Sequence, residues 1–359
     1  MEPRREDVLR ALERVIDPEL GRPVTELDMV RDVRIEGAEV AVVIALTVAG
    51  CPLRSSFENQ VRETVGRLPG VTGVSLAFDV MSPEERQALT AKLRGGVNER
   101  TKGISLDAAT RVIAVASGKG GVGKSTLTAN LAAAFARSGQ RTGILDADVY
   151  GHSIPHLLGI HQKPVLVDKM IVPPVKDGLK LMSIGFFLDG NEPVMWRGPM
   201  LHRALEQFLS DVHWGELDTL VVDMPPGTGD VAISLGQLLP RAEALVVTTP
   251  QPLAQEVAAR AALMAQKTNM RLIGVVENMG GEIFGSGGGA ALAAELGVPL
   301  LAEIPLDPHL REQGDAGEPL VAAAPDAPSA RAILELAERI AATRRERGVG
   351  IVKQLPVVA

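Results

Sequence analysis

The sequence predicts an α/β protein: a mostly parallel sheet covered by helices on both faces, preceded by a small α/β domain. Three observations support this. Beyond Arg111, short β-branched runs end in small or acidic residues and alternate with alanine-rich helical stretches. Strands apolar along their whole length need cover on both faces, which intervening helices supply. Before residue 82 the apolar periods are shorter and mixed, and a polar, charged stretch with Gly95-Gly96 separates the two regions. At 359 residues there is also material for two domains of about 150 each.

The expected division is a first domain over 1–81, a linker over 82–109, a larger domain over 110–348 and a tail over 349–359. In the first domain, Val8, Leu9, Leu12, Val15 and Ile16 recur at helical spacing before Asp17-Pro18 stops the helix. A hairpin follows, with Val33 and Ile35, a turn near Glu36-Gly37, then Val40, Val42, Ile44 and Leu46 alternating. Phe57, Val61, Val65 and Leu68 mark a second helix, and Val74, Leu76, Phe78 and Val80 a third strand. The linker opens with a short helix. In the larger domain the clearest strands are 112–116, 142–145, 217–222, 244–249 and 272–276. Ligands of such folds gather at the carboxyl ends of the strands.

Composition narrows the function. Hydrophobic residues at 46% and charged residues at 23% suit a folded globular chain. No apolar run approaches the ~18–20 residues that span a bilayer, and Met1–Arg10 is charged where a signal peptide is apolar. The expected location is cytoplasmic. A net charge of −7 with only 3% aromatics argues against a nucleic-acid partner. With one cysteine, a single copy builds no disulfide and no four-thiolate cluster site.

After the strand at 112–116 comes Ser117-Gly118-Lys119-Gly120-Gly121-Val122-Gly123-Lys124-Ser125-Thr126, then a helix near Leu127. This is G-x-x-x-x-G-K-[ST] in strand–loop–helix context, a phosphate-binding loop. Its glycines let backbone N–H groups turn inward around phosphate oxygens, and the helix N-terminus adds partial positive charge. Lys124 would bridge the β- and γ-phosphates of ATP, and Ser125 would ligate Mg2+. Two more strand ends supply carboxylates, at Asp146-Ala147-Asp148 and at Asp223-Met224-Pro225-Pro226-Gly227. Asp223 is expected on the Mg2+ shell with Asp146 supporting it, and Asp148 is expected to orient the attacking water.

The loop with its extra lysine, Lys119, and the two acidic strand ends resemble the deviant Walker A ATPases of the MinD/ParA type. Met195-Trp196-Arg197-Gly198-Pro199-Met200, Val276-Glu277-Asn278-Met279 and Ile304-Pro305-Leu306-Asp307 narrow the resemblance to the Mrp/ApbC family of iron–sulfur cluster carriers. Through Asp17-Pro18-Glu19 and Thr47-Val48-Ala49-Gly50-Cys51-Pro52, the first domain resembles the PaaD-like assembly domain often fused to them. The resemblance implies a nucleotide-sandwich homodimer in which Lys119 reaches the partner's phosphates. It implies that Asn278 hydrogen-bonds adenine and that Pro305 and Asp307 line the base and ribose. It also makes Cys51 the reactive cysteine, the Trp196–Pro199 loop an interface or switch element, and apo iron–sulfur proteins or assembly factors the partners.

The chain departs from that family in one place. Carriers of this kind usually place a Cys-x-x-Cys after the Asn-Met segment. Here Asn278-Met279 runs through Gly280-Gly281-Glu282-Ile283 into Phe284-Gly285-Ser286-Gly287, and no cysteine follows Cys51. A cluster on a homodimer would have two Cys51 thiolates and need outside ligands such as glutathione. His152, His156 and His161 complete no clear zinc pattern. Ile333, Leu334, Leu336, Ala337, Ile340 and Ala341 form a terminal helix before Arg344-Arg345-Glu346-Arg347, expected to dock on the core rather than on a membrane. The reading is therefore a slow, Mg-dependent ATPase that carries iron–sulfur clusters as a nucleotide-switched homodimer. The alternative is an ATP-switched regulator of a protein partner or surface that carries no cluster.

Overall fold

The computed structural model describes residues 3–48, 53–94, 106–149, 151–187 and 198–343. The chain begins with α1 (Arg5–Leu12), the strands β1 (Val30–Glu36) and β2 (Glu39–Leu46), α2 (Arg54–Val65), β3 (Gly73–Val80) and α3 (Pro83–Leu93). β2 is central, antiparallel to β1 and parallel to β3, so α2 is the crossover that a parallel pair requires. Phe57, Val61 and Val65 of α2 meet Val40, Val42 and Ile44 of β2 and Val8 and Leu12 of α1 in one core.

The first helix is shorter than the apolar spacing predicts. It ends at Leu12, and Ile16 instead forms an isolated bridge with Pro23. Asp17 explains the stop: its Oδ1 accepts the N–H groups of Glu19 and Leu20, each at 2.9 Å, which closes a turn in competition with helix. Pro18 adds to this by disfavouring helical backbone at Asp17. The polar stretch after β3 starts with α3, capped reciprocally by Ser82 and Glu85: Ser82 Oγ accepts from Glu85 N at 3.2 Å, and the Glu85 carboxylate accepts from Ser82 N at 2.6 Å.

The larger region runs β4 (Arg111–Ser117), α4 (Lys124–Arg137), β5 (Thr142–Asp146), α5 (Ile154–Leu157), β6 (Val165–Val167), β7 (Met170–Val172), β8 (Val175–Lys176) and β9 (Leu179–Ser183). It continues with α6 (Gly198–Ser210), β10 (Thr219–Asp223), α7 (Asp230–Leu238), β11 (Glu243–Thr248), α8 (Pro252–Lys267), β12 (Arg271–Gly280), α9 (Gly288–Leu296) and β13 (Leu300–Pro305). It closes with α10 (Pro308–Asp315), α11 (Leu320–Ala323) and α12 (Pro328–Ala342). One sheet takes the order β13-β12-β11-β4-β10-β5-β9-β8, parallel throughout except where β8 turns back on β9.

β5, β10 and β11 are buried at every residue, as strands covered on both faces must be. On one face, Leu131 and Phe135 of α4 pack with Ile333, Leu336 and Ile340 of α12. On the other, Leu205 and Leu209 of α6 pack with Leu235 of α7 and with Trp214. Of the apolar row of the terminal helix, Ile333, Leu336, Ala337 and Ile340 are buried in the core shared with α4, Leu334 is half-buried and Ala341 is exposed; Arg344–Arg347 lie outside the described residues. Arg111, the first residue of β4, ties the two ends of this region together. Its Nε donates to Glu243 at 2.7 Å, and its guanidinium also donates to the Ile340 carbonyl and to Thr343 Oγ, the latter at 3.1 Å.

Candidate functional site

The three strands β4, β10 and β5 end at one edge, and their register decides what meets there. Asp223 is level with Asp146 on β5 and with Val115 on β4. Parallel neighbours lie about 4.8 Å apart, so the two carboxylates stand side by side. Both are fully buried. Burial, and then the charge of Asp223, push Asp146 up to about 8. Burial raises Asp223 as well, opposed by Lys124, Ser125 and Thr128.

The chain leaves β4 at Ser117 and turns through the glycine loop into α4. Gly118 lies against α8 so closely that a Cβ would come within 2.2 Å of the Val257 carbonyl oxygen. Gly121 and Gly123 have φ of +78° and +80°, a left-handed backbone that glycine adopts without strain. Gly123 is the N-cap of α4, so the next residue, Lys124, begins the helix directly beneath the loop. Its Nζ lies 2.8 Å from Asp223 Oδ2 and 3.4 Å from Asp148 Oδ2. Ser125 Oγ donates to Asp223 Oδ2 at 2.6 Å. Asp148 Oδ1 accepts the Gly151 N–H at 3.1 Å, and the Asp148 N–H is donated to Asp146 Oδ1 at 3.2 Å.

Gly120, Gly121, Gly123, Lys124, Ser125 and Thr126, with Ser117, Lys119, Asp148 and Pro226, line a cleft of about 200 Å3. That is smaller than the ~300–1,000 Å3 of typical ligand pockets, and suits a chain of phosphates rather than a whole nucleotide. Lys119 is exposed at its rim. Val122 is buried, and its carbonyl accepts Asn278 Nδ2 at 2.8 Å, so Asn278 abuts the loop from β12. Pro305 ends β13. The Asp307 carboxylate beyond it caps α10, accepting from His309 N and from Ser329 Oγ, each at 2.9 Å. Cys51 and Trp196 lie outside the described residues. Among the described residues, no group of three or more His, Cys, Asp or Glu is placed to hold a metal ion.

Two residues at the site carry no motif. Thr128 Oγ lies 2.8 Å from Asp223 Oδ1 and 2.9 Å from the Lys124 carbonyl, and its single proton serves one of them at a time. Its position one turn along α4 from Lys124 is the sequence signal that could have found it. Ser183, at the end of β9, donates to Asp146 Oδ2 at 2.9 Å, and only the strand order brings it there.

Residues 108–341 match the family model described as the NUBPL iron-transfer P-loop NTPase. The chain belongs to this family. Residues 5–76 match a second model, described as an iron-sulfur cluster assembly protein. The iron-sulfur cluster carrier protein of Mycobacterium leprae is 50% identical over 355 residues, covering 94% of this chain and 93% of that protein. The protein of the same name from Bacillus subtilis is 42% identical over 315 residues, covering 84% and 88%.

Among solved structures, a nucleotide-binding protein from Archaeoglobus fulgidus in complex with ADP is 40% identical, covers 58% of this chain and 86% of its own, and has a TM-score of 0.51. The septum site-determining protein MinD from Pyrococcus horikoshii, complexed with Mg-ADP, is 25% identical, covers 64% and 96%, and has a TM-score of 0.52. The likeness to MinD/ParA ATPases and to cluster carriers expected from the motifs is thus found, as is the P-loop NTPase fold. No described helix is long and apolar enough to cross a membrane.

Proposed function

We propose that this protein is a cytoplasmic, ATP-switched iron–sulfur cluster carrier or assembly factor working as a homodimer on apo iron–sulfur clients. Residues 1–81 form the assembly domain, 82–109 the linker, 110–348 the ATPase domain and 349–359 a tail. The observation that carries this reading is the convergence of Lys124, Ser125, Asp148 and Asp223 on the phosphate-sized cleft, in a chain that matches an iron-transfer NTPase model behind an assembly-protein model.

The oxygen donors around Asp223 fit a hard cation: Ser125 Oγ and the Asp223 carboxylate would hold Mg2+, with Asp146 supporting Asp223 from β5. Bound there with ATP, Mg2+ would neutralise charge on the β- and γ-phosphates. The backbone N–H groups of Gly118–Thr126 cradle those phosphates. As the phosphates enter, Lys124 exchanges its carboxylate partners for phosphate oxygens, which frees Asp148 to orient the attacking water. Lys119, exposed at the rim, stabilises the γ-phosphate of the opposite subunit. Asn278 of β12 hydrogen-bonds the base, and Pro305 and Asp307, at and just beyond the end of β13, line the base and ribose. Hydrolysis is slow, because the nucleotide serves as a switch.

A second reading, a nucleotide switch that carries no cluster, is favoured by one observation. Where the family resemblance would place a Cys-x-x-Cys, a tight turn joined by reciprocal Gly281–Gly285 backbone bonds of 2.9 and 2.7 Å takes the chain straight to α9. Anaerobic reconstitution separates the two. Iron and acid-labile sulfide are measured per chain for wild type and Cys51→Ala, with and without glutathione. Cluster that requires Cys51 establishes the carrier, and no cluster in either protein overturns it in favour of the switch.

A further inference from the structure

Asn278, on β12, meets the phosphate loop at the peptide between Val122 and Gly123. Its Nδ2 donates to the Val122 carbonyl at 2.8 Å, and both residues are buried. A buried carbonyl needs a partner, and here a side chain from another strand supplies it. In a trans peptide the C=O and the following N–H point in opposite directions. Turning the Val122 carbonyl toward Asn278 therefore turns the Gly123 N–H away from it, and Gly123 lines the cleft. Gly123 also leaves room for the contact. A Cβ there would lie 2.2 Å from Asn278 Nδ2 and 3.5 Å from Met279 Cε.

Asn278 and Met279 thus crowd one glycine, although successive side chains of a regular strand point to opposite faces. β12 is irregular at this place: its register against β13 shifts between Asn278 and Gly280, and Met279 has φ of +61°. A left-handed backbone at a residue with a side chain is strained, and it persists where its surroundings over-determine it. Anchors stand on both sides. The buried Glu277 carboxylate accepts from Gly287 N at 3.1 Å and from Gly289 N at 2.5 Å, which ties the strand to the start of α9. Gly280 O accepts Leu306 N at 2.9 Å, which ties it to the segment after β13.

We propose that Asn278 is a positioning residue for phosphate: by clamping the Val122 carbonyl it holds the Gly123 peptide in the orientation that offers its N–H to a phosphate oxygen. This rests on the nucleotide-binding reading above, in which the same side chain bonds the base. The two uses are compatible, since a carboxamide has two N–H hydrogens and an oxygen and the clamp occupies one hydrogen. Gly118 packs against α8 where the loop begins, and Asn278 fixes the loop where it enters α4.

A ligand without a base separates the two uses. Mg-tripolyphosphate is competed against a fluorescent ATP analogue on the full chain, as wild type, Asn278→Ala and Asn278→Asp. The aspartate keeps the shape of the side chain and lacks the donor, so it serves if the alanine variant folds poorly. Thermal melts are run beside each titration. Tripolyphosphate affinity is expected to fall about 10-fold or more in both variants, and ATP affinity at least as much. Loss of ATP affinity with tripolyphosphate unchanged overturns the clamp and leaves Asn278 as a base contact. A lower melting temperature with both ligands unchanged overturns it in favour of a structural role. ATP bound by wild type without competition from tripolyphosphate overturns a loop shaped for phosphate on its own. Wild type that binds neither ligand overturns the nucleotide reading, and the clamp with it.

Discussion

Lys124 Nζ lies 2.8 Å from Asp223 Oδ2, so the cation that the loop presents to phosphate is already neutralised by the carboxylate expected to hold Mg2+. Asp148 Oδ2 lies on the same amine at 3.4 Å, so Lys124 is shared between two carboxylates. Binding is then an exchange of partners, in which phosphate takes the lysine and the metal takes the aspartate.

Lys124→Ala removes the phosphate partner and should weaken ATP binding at least 100-fold, about 3 kcal/mol. Titration with a fluorescent ATP analogue reads it, and retained tight binding would refute the phosphate-loop assignment.

Thr128→Val tests the contribution of the unheralded threonine. The variant keeps the shape but takes away a hydrogen bond to a buried carboxylate, a loss of about 1–3 kcal/mol. Chemical denaturation should show that loss, and the Mg2+ concentration for half-maximal ATPase activity should rise. A change in neither would reduce Thr128 to packing.

Gly118→Ala and Gly120→Ala separate two uses of glycine. A Cβ at Gly118 would strike the α8 backbone, whereas at Gly120 it meets nothing within 4 Å. The first should lose about 1–3 kcal/mol of stability in the nucleotide-free protein, and the second less than about 0.5. Thermal melts without ligand make the comparison.

Glu19→Gln has a pH signature. Burial, and then the neighbouring Asp17, raise Glu19 to about 7, with Lys180 opposing. Its folded value lies above its ordinary one, so its contribution is complete below about 4.5 and is lost as pH rises toward 7. The variant lacks this loss, and its stability relative to wild type should climb from pH 5 to 7 and level off above. His213, which burial holds down to about 4, titrates in both proteins and cancels in the difference. Urea titrations across that range test the sign, and a flat difference contradicts the burial of Glu19.

Most of what positions the site was legible, because it is local. The glycine loop, Lys124 and Ser125 are consecutive, and Asp146 and Asp223 end strands whose apolar runs are unmistakable. Ser183 was hidden because its partnership with Asp146 depends on β9 lying beside β5, and strand order is not written in any one segment. The β6–β7 hairpin was missed for a related reason: strands of three residues are too short to show a period, and their apolar residues answer to a core built by residues 8–89. The overrun of α1 has a simpler cause. Val15 is apolar because it is buried, but the Asp17 turn, not the helix, puts it there.

The guanidinium of Arg111 holds the Ile340 carbonyl and Thr343, so the first strand of the large sheet begins where the last described helix ends. Joining those two points by a short peptide would cost little chain entropy. The region is therefore suited to circular permutation. Cut in an exposed turn such as Asp177-Gly178 and closed between Thr343 and Arg111, it should refold with the same strand order and the same cleft.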